Sequence, residues 1–311
     1  MVGGASFLAG GFLAFMAAVM STTAIERFGG RLGGIIASLP TTIVPAAAFI
    51  WLADPRREAL QQAFGIFPMT MLVNVAYLWL WRVVPMAVPR HLGFRCRLFS
   101  VCLISITGWV LVVAATVSAS RGLGIPPLVV GGASLAVSVA VGLAAVVRTR
   151  ATAAPTGVRV SPCALLARGF FAGAAVSCAV LLAEAESPVL AGIASGFPAI
   201  ITTSMVALWI SQGEEVPGGA IGPMMLGMST VSIYSLLAIA LLPLLGVWLG
   251  SAATWLISVC IGAVPSYWFV TRMARRNRAP LGSSDAAAAA AEPSPPAEPV
   301  LELRAEPGGG E

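Results

Sequence analysis

The stretch G-G-I-I-A-S-L-P-T-T-I-V-P at residues 33–45 returns as A-G-I-A-S-G-F-P-A-I-I-T-T at residues 191–203, which is 158 positions later. Each copy places a proline six residues after a glycine. Other residues repeated at this spacing are Gly11 and Gly169, Glu26 and Glu184, and Trp51 and Trp209. Apolar composition alone produces chance matches of alanine or leucine, but not of a glutamate, a tryptophan and a proline together. We therefore predict two copies of one structural unit.

The composition places these copies in a membrane. The chain is 58% hydrophobic and 10% charged, and its apolar runs approach the ~20 residues that cross a bilayer as a helix. Breaks at proline, glycine and charge clusters divide the runs into nine segments. The predicted spans are 3–24, 33–52, 59–81, 98–118, 127–147, 164–182, 188–210, 219–241 and 253–270. We therefore predict an all-α, polytopic membrane protein whose main partner is the lipid bilayer. Tryptophans near span ends predict an interfacial belt: Trp79, Trp81, Trp248, Trp255 and Trp268.

The arginines indicate how the chain is oriented. All 18 basic residues are arginine, so the net charge of +5 is read as membrane-orienting charge, and no nucleic-acid partner is expected. When the segments between the nine spans are assigned alternately to the two sides of the membrane, fourteen arginines fall on one side and three on the other. Because positive charge stays on the cytoplasmic side, we predict an outer N-terminus and a cytoplasmic C-terminus.

The repeat also predicts how the halves are related. Spans one to four match spans six to nine, and the fifth span is left as a connector. A unit with an even number of spans re-enters the membrane from the opposite side after one extra span, so the arrangement is an inverted 4+1+4 repeat. The predicted units are a first repeat at 1–123, a connector at 124–160, a second repeat at 161–276 and a disordered cytoplasmic tail at 277–311. A homodimer is one state of assembly that this arrangement allows.

The second and seventh spans carry the strongest functional signal. Their prolines remove helical hydrogen bonds and free backbone groups near the middle of the bilayer. Broken helices there direct the positive ends of half-helix dipoles inward, which suits a polar or anionic solute. The alternative is that proline kinks the helix and the hydroxyls only satisfy freed carbonyls. The predicted solute-contacting residues are Ser38, Pro40, Thr41, Thr42, Ser195, Pro198, Thr202 and Thr203.

Other polar residues within or beside the spans are candidates for coupling and for a pathway. Glu26 and Glu184 end the first and sixth spans, where a carboxylate can couple protons or gate access, or simply end a span. Asn74, Tyr77 and Tyr234 lie within spans three and eight, where they can line a polar path or bond neighbouring helices.

Residues suited to catalysis or to metal binding do not form a pattern. The single histidine, His91, lies in an arginine-rich loop, and the five cysteines show no C-x-x-C spacing. The sequence shows neither a metal-ligand cluster nor a glycine-rich phosphate loop. We therefore expect no enzyme activity, no cofactor and no metal site.

The stretch G-G-I-I-A-S-L-P-T at 33–41, followed by R-E-A-L at 57–60 and F-P-M at 67–69, resembles the GlpM family of small bacterial inner-membrane proteins. The resemblance covers about residues 3–115 and, more faintly, the second copy. It implies a four-helix unit, here as a fused double copy, in a bacterial inner membrane. It implies no substrate or catalytic residue for individual positions.

Duplicated membrane units of this kind are typical of secondary transporters. The sequence therefore predicts a secondary transporter of a small polar or anionic solute. The competing interpretation is a non-transporting membrane scaffold or accessory subunit, in which the same polar residues serve helix packing alone.

Overall fold

A computed structural model describes residues 5–28, 39–89, 91–148, 161–212 and 218–276. Every regular element in these residues is a helix, so the prediction of an all-α chain is confirmed for the described part. The helices are α1 (Ser6–Phe28), α2 (Ile43–Ala53), α3 (Arg57–Ala87), α4 (Phe94–Gly122), α5 (Pro127–Arg148), α6 (Pro162–Glu184), α7 (Pro188–Ser195), α8 (Ala199–Gln212), α9 (Gly218–Leu245), α10 (Val247–Ser258) and α11 (Val264–Arg276). A π-helical turn, Val259–Ala263, joins α10 to α11.

Within the described residues, seven helical stretches are long and apolar enough to cross a membrane, which indicates an integral membrane protein by length and composition. They are Arg57–Ala87, Phe94–Gly122, Pro127–Arg148, Pro162–Glu184, Pro188–Val206, Ile221–Leu245 and Val247–Met273. Two shorter apolar stretches, Ser6–Met20 and Ile43–Ala53, occupy the positions of the first two predicted spans. The predicted tail at 277–311 lies outside the described residues.

The seventh predicted span is not one continuous helix. It consists of α7 and α8, with Gly196, Phe197 and Pro198 between them. Proline has no N–H to donate to the preceding turn, and its ring clashes with the carbonyl four residues earlier, so the helix ends before it. The amide N–H groups of Gly196 and Phe197 close the end of α7 on the carbonyls of Ile193 and Ala194, both at 3.1 Å.

The third helix forms the centre of the bundle. In its most apolar stretch, 78% of α3 is buried, against 22% of α4, so α3 is enclosed by protein and α4 faces outward. The helices packed around α3 are α4, α5, α7 and α9. Helix α9 in turn packs against α2, α3, α5 and α10. The two halves of the chain therefore share one core.

Helices α1 and α6 pack closely and antiparallel. The Ser177 hydroxyl donates to the Phe7 carbonyl at 3.0 Å, and a Cβ on Gly173 would lie 2.8 Å from the Gly11 carbonyl oxygen. A Cβ on Gly169 would lie 2.6 Å from the Phe15 ring. Each step forward along α1 is thus matched by an equal step back along α6. Glycine allows this close approach because it carries no side chain.

One tryptophan predicted for the interfacial belt lies instead in the core. Trp81 is fully buried and makes an edge contact with Trp209 of α8, with ring centroids 6.3 Å apart. Trp79, two positions earlier on α3, is exposed, as are Trp248 and Trp268. Two positions on a helix differ by about 200°, so neighbouring aromatic residues face opposite environments. The belt interpretation is therefore wrong for Trp81.

Candidate functional site

The break between α7 and α8 is held by one buried amide from α3. Asn74 is 2% exposed, and its side-chain N–H donates to the Gly196 carbonyl at 3.0 Å. Its side-chain oxygen accepts a 2.7 Å hydrogen bond from the indole N–H of Trp109 on α4. Trp109 also makes a perpendicular ring contact with Phe197, with centroids 5.5 Å apart. One side chain therefore joins three helical segments at the break.

Tyr77 makes a second connection, one turn further along α3. Its hydroxyl lies 2.7 Å from the hydroxyl oxygen of Thr202 on α8, and Thr202 also donates to the Pro198 carbonyl at 2.7 Å. The Thr202 proton goes to that carbonyl, so the tyrosine O–H is the donor to Thr202. Gly196 allows α3 to come this close, because a Cβ there would collide with Thr70.

The other hydroxyls predicted for the seventh span bond within their own segment. Ser195 donates to the Gly192 carbonyl at 2.8 Å, and Thr203 donates to the carbonyls of Ala199 and Ile200 at 2.9 and 3.1 Å. These bonds satisfy carbonyls near the helix break, as serine and threonine do in membrane helices. The structure therefore joins Thr202 and Pro198 to the α3 cluster, whereas Ser195 and Thr203 bond only locally.

The proline segment of the second predicted span lies elsewhere. Ser38 falls outside the described residues. Pro40 is buried, and Thr41 and Thr42 are half-buried in the non-helical residues that precede α2. Thr41 lines an open groove of about 570 Å³ between α1, α2 and α10, and none of the residues that line this groove belongs to α7 or α8. The hydroxyls predicted to meet at one solute site thus occupy two environments.

Tyr234, which matches Tyr77 at a spacing of 157 after a one-residue slip in the sequence repeat, is also fully buried, and its hydroxyl interacts with the Ser251 hydroxyl on α10. Among the described residues, two further buried hydroxyls on α9 and α10 are without a hydrogen-bond partner, and they belong to Thr230 and Thr254. An unbonded hydroxyl inside a membrane protein is costly, so each is a position where a polar partner would be stabilising.

Of the two glutamates predicted to couple or gate transport, the structure describes the side chain of Glu184. Glu184 ends α6 and accepts a 2.5 Å hydrogen bond from the Ser6 hydroxyl at the start of α1. The side chain of Glu26 lies outside the described part of the structure. The Ser6–Glu184 bond therefore joins the start of α1 to the end of α6.

The loop between α2 and α3 carries an ion pair. Arg56 donates from Nε and Nη2 to the two carboxylate oxygens of Asp54, both at 2.7 Å. The hydrogen bonds and charge of Arg56 lower the pKa of Asp54 below its ordinary value, because they stabilise the carboxylate. Arg56 is 61% exposed, so water screens the pair.

Sequence reasoning identified Asn74 and Tyr77 as polar residues within a span, and Thr202 as a candidate, but it did not predict which residues they contact. Trp109 and Gly196 complete the cluster, and neither was a candidate. The available signal was the need of a buried amide for both a donor and an acceptor.

Comparison with protein-family models, with characterised proteins and with solved structures finds no match for this chain.

Proposed function

We propose that this chain is a secondary transporter of a small polar or anionic solute, built from two inverted four-helix repeats around α5. The observation that carries the proposal is the break between α7 and α8, where α3 holds the freed backbone through Asn74 and Tyr77. Helix α8 begins at this break, so the positive end of its dipole lies there. That end suits a polar or negatively charged group.

Reciprocal contacts support the inverted repeats. Gly11 contacts Gly173, and Phe15 contacts Gly169. Because residues 11 and 15 match residues 169 and 173 in the repeat, each contact is the counterpart of the other, as a twofold axis between antiparallel helices requires. Helix α3 packs on α7, and its counterpart α9 packs on α2. Both α3 and α9 also pack on α5, the connector, at Gly131 and Gly142 respectively.

Helix directions support nine crossings. Contacts of α3 with α7 and α8 advance together along both chains, from Gly192 against Ala63 to Trp209 against Trp81, so these helices run parallel. If each successive span crosses the membrane in the opposite direction, the third and seventh spans are parallel and the first and sixth are antiparallel, as observed. The arginine distribution then favours an outer N-terminus, and the GlpM resemblance favours a bacterial inner membrane.

In the proposed mechanism the Tyr77–Thr202 hydrogen bond holds α8 against α3 until a solute binds. A solute that brings a neutral hydrogen-bond donor to the break replaces the tyrosine hydroxyl as the donor to Thr202, and the exchange loosens α8 from α3. Because both bonds are single neutral hydrogen bonds, each worth about 1 kcal/mol or less in a membrane protein, the exchange is close to balanced. Such a balance allows two conformations of similar energy.

Cysteine accessibility tests the proposal. Thr42→Cys and Thr202→Cys are placed singly in a chain from which the five native cysteines are removed. They are treated with membrane-impermeant thiol reagents in right-side-out and inside-out vesicles. We expect each to react from both sides, because the site opens alternately. Leu123→Cys and Gly93→Cys report orientation, and we expect reaction only from outside and only from inside, respectively. No reaction of either threonine position from either side would refute the solute site.

A scaffold is the second candidate, and a specific observation favours it. The hydroxyls of Ser195, Thr202 and Thr203 are all hydrogen-bonded within the protein, and the groove beside α2 has mainly apolar walls. A scaffold predicts that the Thr42 and Thr202 variants stay unreactive while the two loop controls react as expected. That combination separates the two functions.

A further inference from the structure

The last helix, α11, carries a group of arginines that the rest of the protein leaves uncovered. Beyond the adjoining π turn, its main contacts are with α9 and α5. Among the α11 side chains whose burial is described, none is buried, and Arg272, Arg275 and Arg276 are exposed. In the described part of the chain these three arginines form no ion pair. Their positive charge is therefore not compensated by a carboxylate there.

The arginines share one face of the helix with an exposed tryptophan. Trp268, Arg272 and Arg276 follow each other at intervals of four residues, which places them one above another. Arg275 lies within the same arc of about 100°. The guanidinium carbon of Arg272 lies 5.0 Å from the centroid of the Trp268 ring, in a cation–π contact. We call these four residues the arginine face.

The matching helix in the first half of the chain, α4, does not carry such a face. The positions 158 residues before the four residues of the arginine face are uncharged, and they are Val110, Ala114, Val117 and Ser118. Packing shared by the two halves therefore does not explain the arginines.

The arginine face has the right depth for a lipid headgroup layer. Trp268 is 59% exposed, and tryptophan prefers the boundary between lipid chains and headgroups. A bilayer of about 40–45 Å with a hydrocarbon core of about 30 Å leaves about 5–8 Å for each headgroup layer. Arg272 lies about 6 Å beyond Trp268 along the helix, and Arg276 about 12 Å. Because Cα–Cβ bonds in a helix tilt toward its N-terminus, the side chain of Arg276 starts back toward this layer.

We propose that the arginine face binds the phosphate groups of anionic phospholipids. Charge selects this occupant, because three uncompensated arginines meet the net negative charge of such a lipid, whereas a zwitterionic lipid carries its own cation beside the phosphate. The planar guanidinium also suits phosphate oxygens, which it binds with two parallel hydrogen bonds. The site is independent of the proposed transport.

An energy-transfer titration tests the site. The full-length protein in neutral detergent micelles is titrated with a phosphatidylglycerol that carries pyrene in its acyl chain, and transfer from tryptophan to pyrene is measured. Phosphatidylcholine with the same labelled chain is the headgroup control. We expect saturable transfer with phosphatidylglycerol, an affinity at least about tenfold higher than for phosphatidylcholine, and a preference that falls as salt is added. Trp268→Phe should reduce the amplitude of the transfer.

Neutral substitutions separate charge from packing. Each of Arg272→Gln, Arg275→Gln and Arg276→Gln should weaken phosphatidylglycerol binding by up to about fivefold, and the triple glutamine variant should bind both lipids alike. The triple lysine variant should keep the preference, because it keeps the charge. Arg121→Gln is the matched control, since Arg121 is an exposed arginine in the last turn of α4. We expect this control to leave both affinities unchanged.

Three results would each overturn the site: equal affinities of the wild-type protein for the two lipids, a preference that survives in the triple glutamine variant, or an equal loss in the Arg121 variant. The acidic end of the chain is the competing occupant of the arginine face. It is tested by replacing its six carboxylates with amides: Asp285, Glu292, Glu298, Glu302, Glu306 and Glu311. A lipid preference that is absent in the wild-type protein and present in this variant would assign the face to the chain's own end and refute lipid binding. The cysteine accessibility of Thr202 tests transport separately, because Thr202 lies on α8, so failure of one proposal is distinguishable from failure of the other.

Discussion

Replacing Asn74 by leucine should destabilise the protein more than any other single change at the helix break. The side chain makes two hydrogen bonds that join separate helices, one to the Gly196 carbonyl and one from the Trp109 indole. Leucine is similar in size, so the variant removes the polar contacts while leaving little cavity. Two buried groups, a carbonyl and an indole N–H, then lose their partner.

The expected cost follows from two limits. Hydrogen bonds between membrane helices average about 0.6 kcal/mol, which gives about 1 kcal/mol for two. A buried polar group left without a partner costs about 1–3 kcal/mol, which gives up to about 6 kcal/mol for two. Because α3 is enclosed by protein, neither orphaned group can reach water or find a new partner easily. We therefore expect a loss of about 2–4 kcal/mol in the free energy of unfolding.

The measurement is equilibrium unfolding in mixed micelles with an increasing fraction of denaturing detergent. Tyr77→Phe provides a graded comparison and should cost about 1 kcal/mol or less, because Thr202 keeps its bond to the Pro198 carbonyl. Thr203→Val should cost less still, because the Thr203 bonds lie within α8. A double-mutant cycle between Asn74→Leu and Trp109→Phe should give a coupling of about 1 kcal/mol. A coupling near zero, or a loss below about 0.5 kcal/mol for Asn74→Leu, would refute the assignment.

Two further changes test packing and charge. Gly192→Ala should lower the free energy of unfolding by about 1–3 kcal/mol in the same assay, because its Cβ would collide with the Ala63 carbonyl. The control is Gly132→Ala, which has open space around it and should be neutral or stabilising by up to about 1 kcal/mol. Equal effects of the two substitutions would contradict the close approach of α3 and α7. The pKa of Asp54 is lowered by its bond to Arg56, so this ion pair stabilises the protein at pH values above the ordinary pKa of 3.8. The contribution is lost as the pH falls through the lower pKa of the folded state. Asp54→Asn should therefore lower Tm at neutral pH, and the difference in Tm from wild type should shrink in acid. A difference in Tm that does not change with pH would show that the ion pair does not contribute to stability.

The helix break shows how far sequence reasoning reaches. Pro198 predicts an interruption in the seventh span because proline acts on its own backbone and on the preceding turn. What bonds to the freed backbone was not predictable in the same way. Asn74 and Gly196 are 122 positions apart, and their meeting depends on how α3 crosses α7. The same reason explains Trp81, which resembles an interfacial residue in sequence but faces Trp209 in the folded protein.

The sequence alone determined that this chain is helical and apolar enough for a membrane, because a bilayer requires each spanning segment to satisfy its own backbone, and length and composition are local properties. It also indicated a duplication through Glu26, Pro40 and their counterparts. Only the tertiary structure decided which polar groups are bonded and which are not. Tyr77 and Tyr234 occupy matching positions in the sequence, yet Tyr77 meets Thr202 on α8 and Tyr234 meets Ser251 on α10. Equivalent positions acquire different surroundings because the side chains that face them have diverged, and only helix packing brings those side chains into contact.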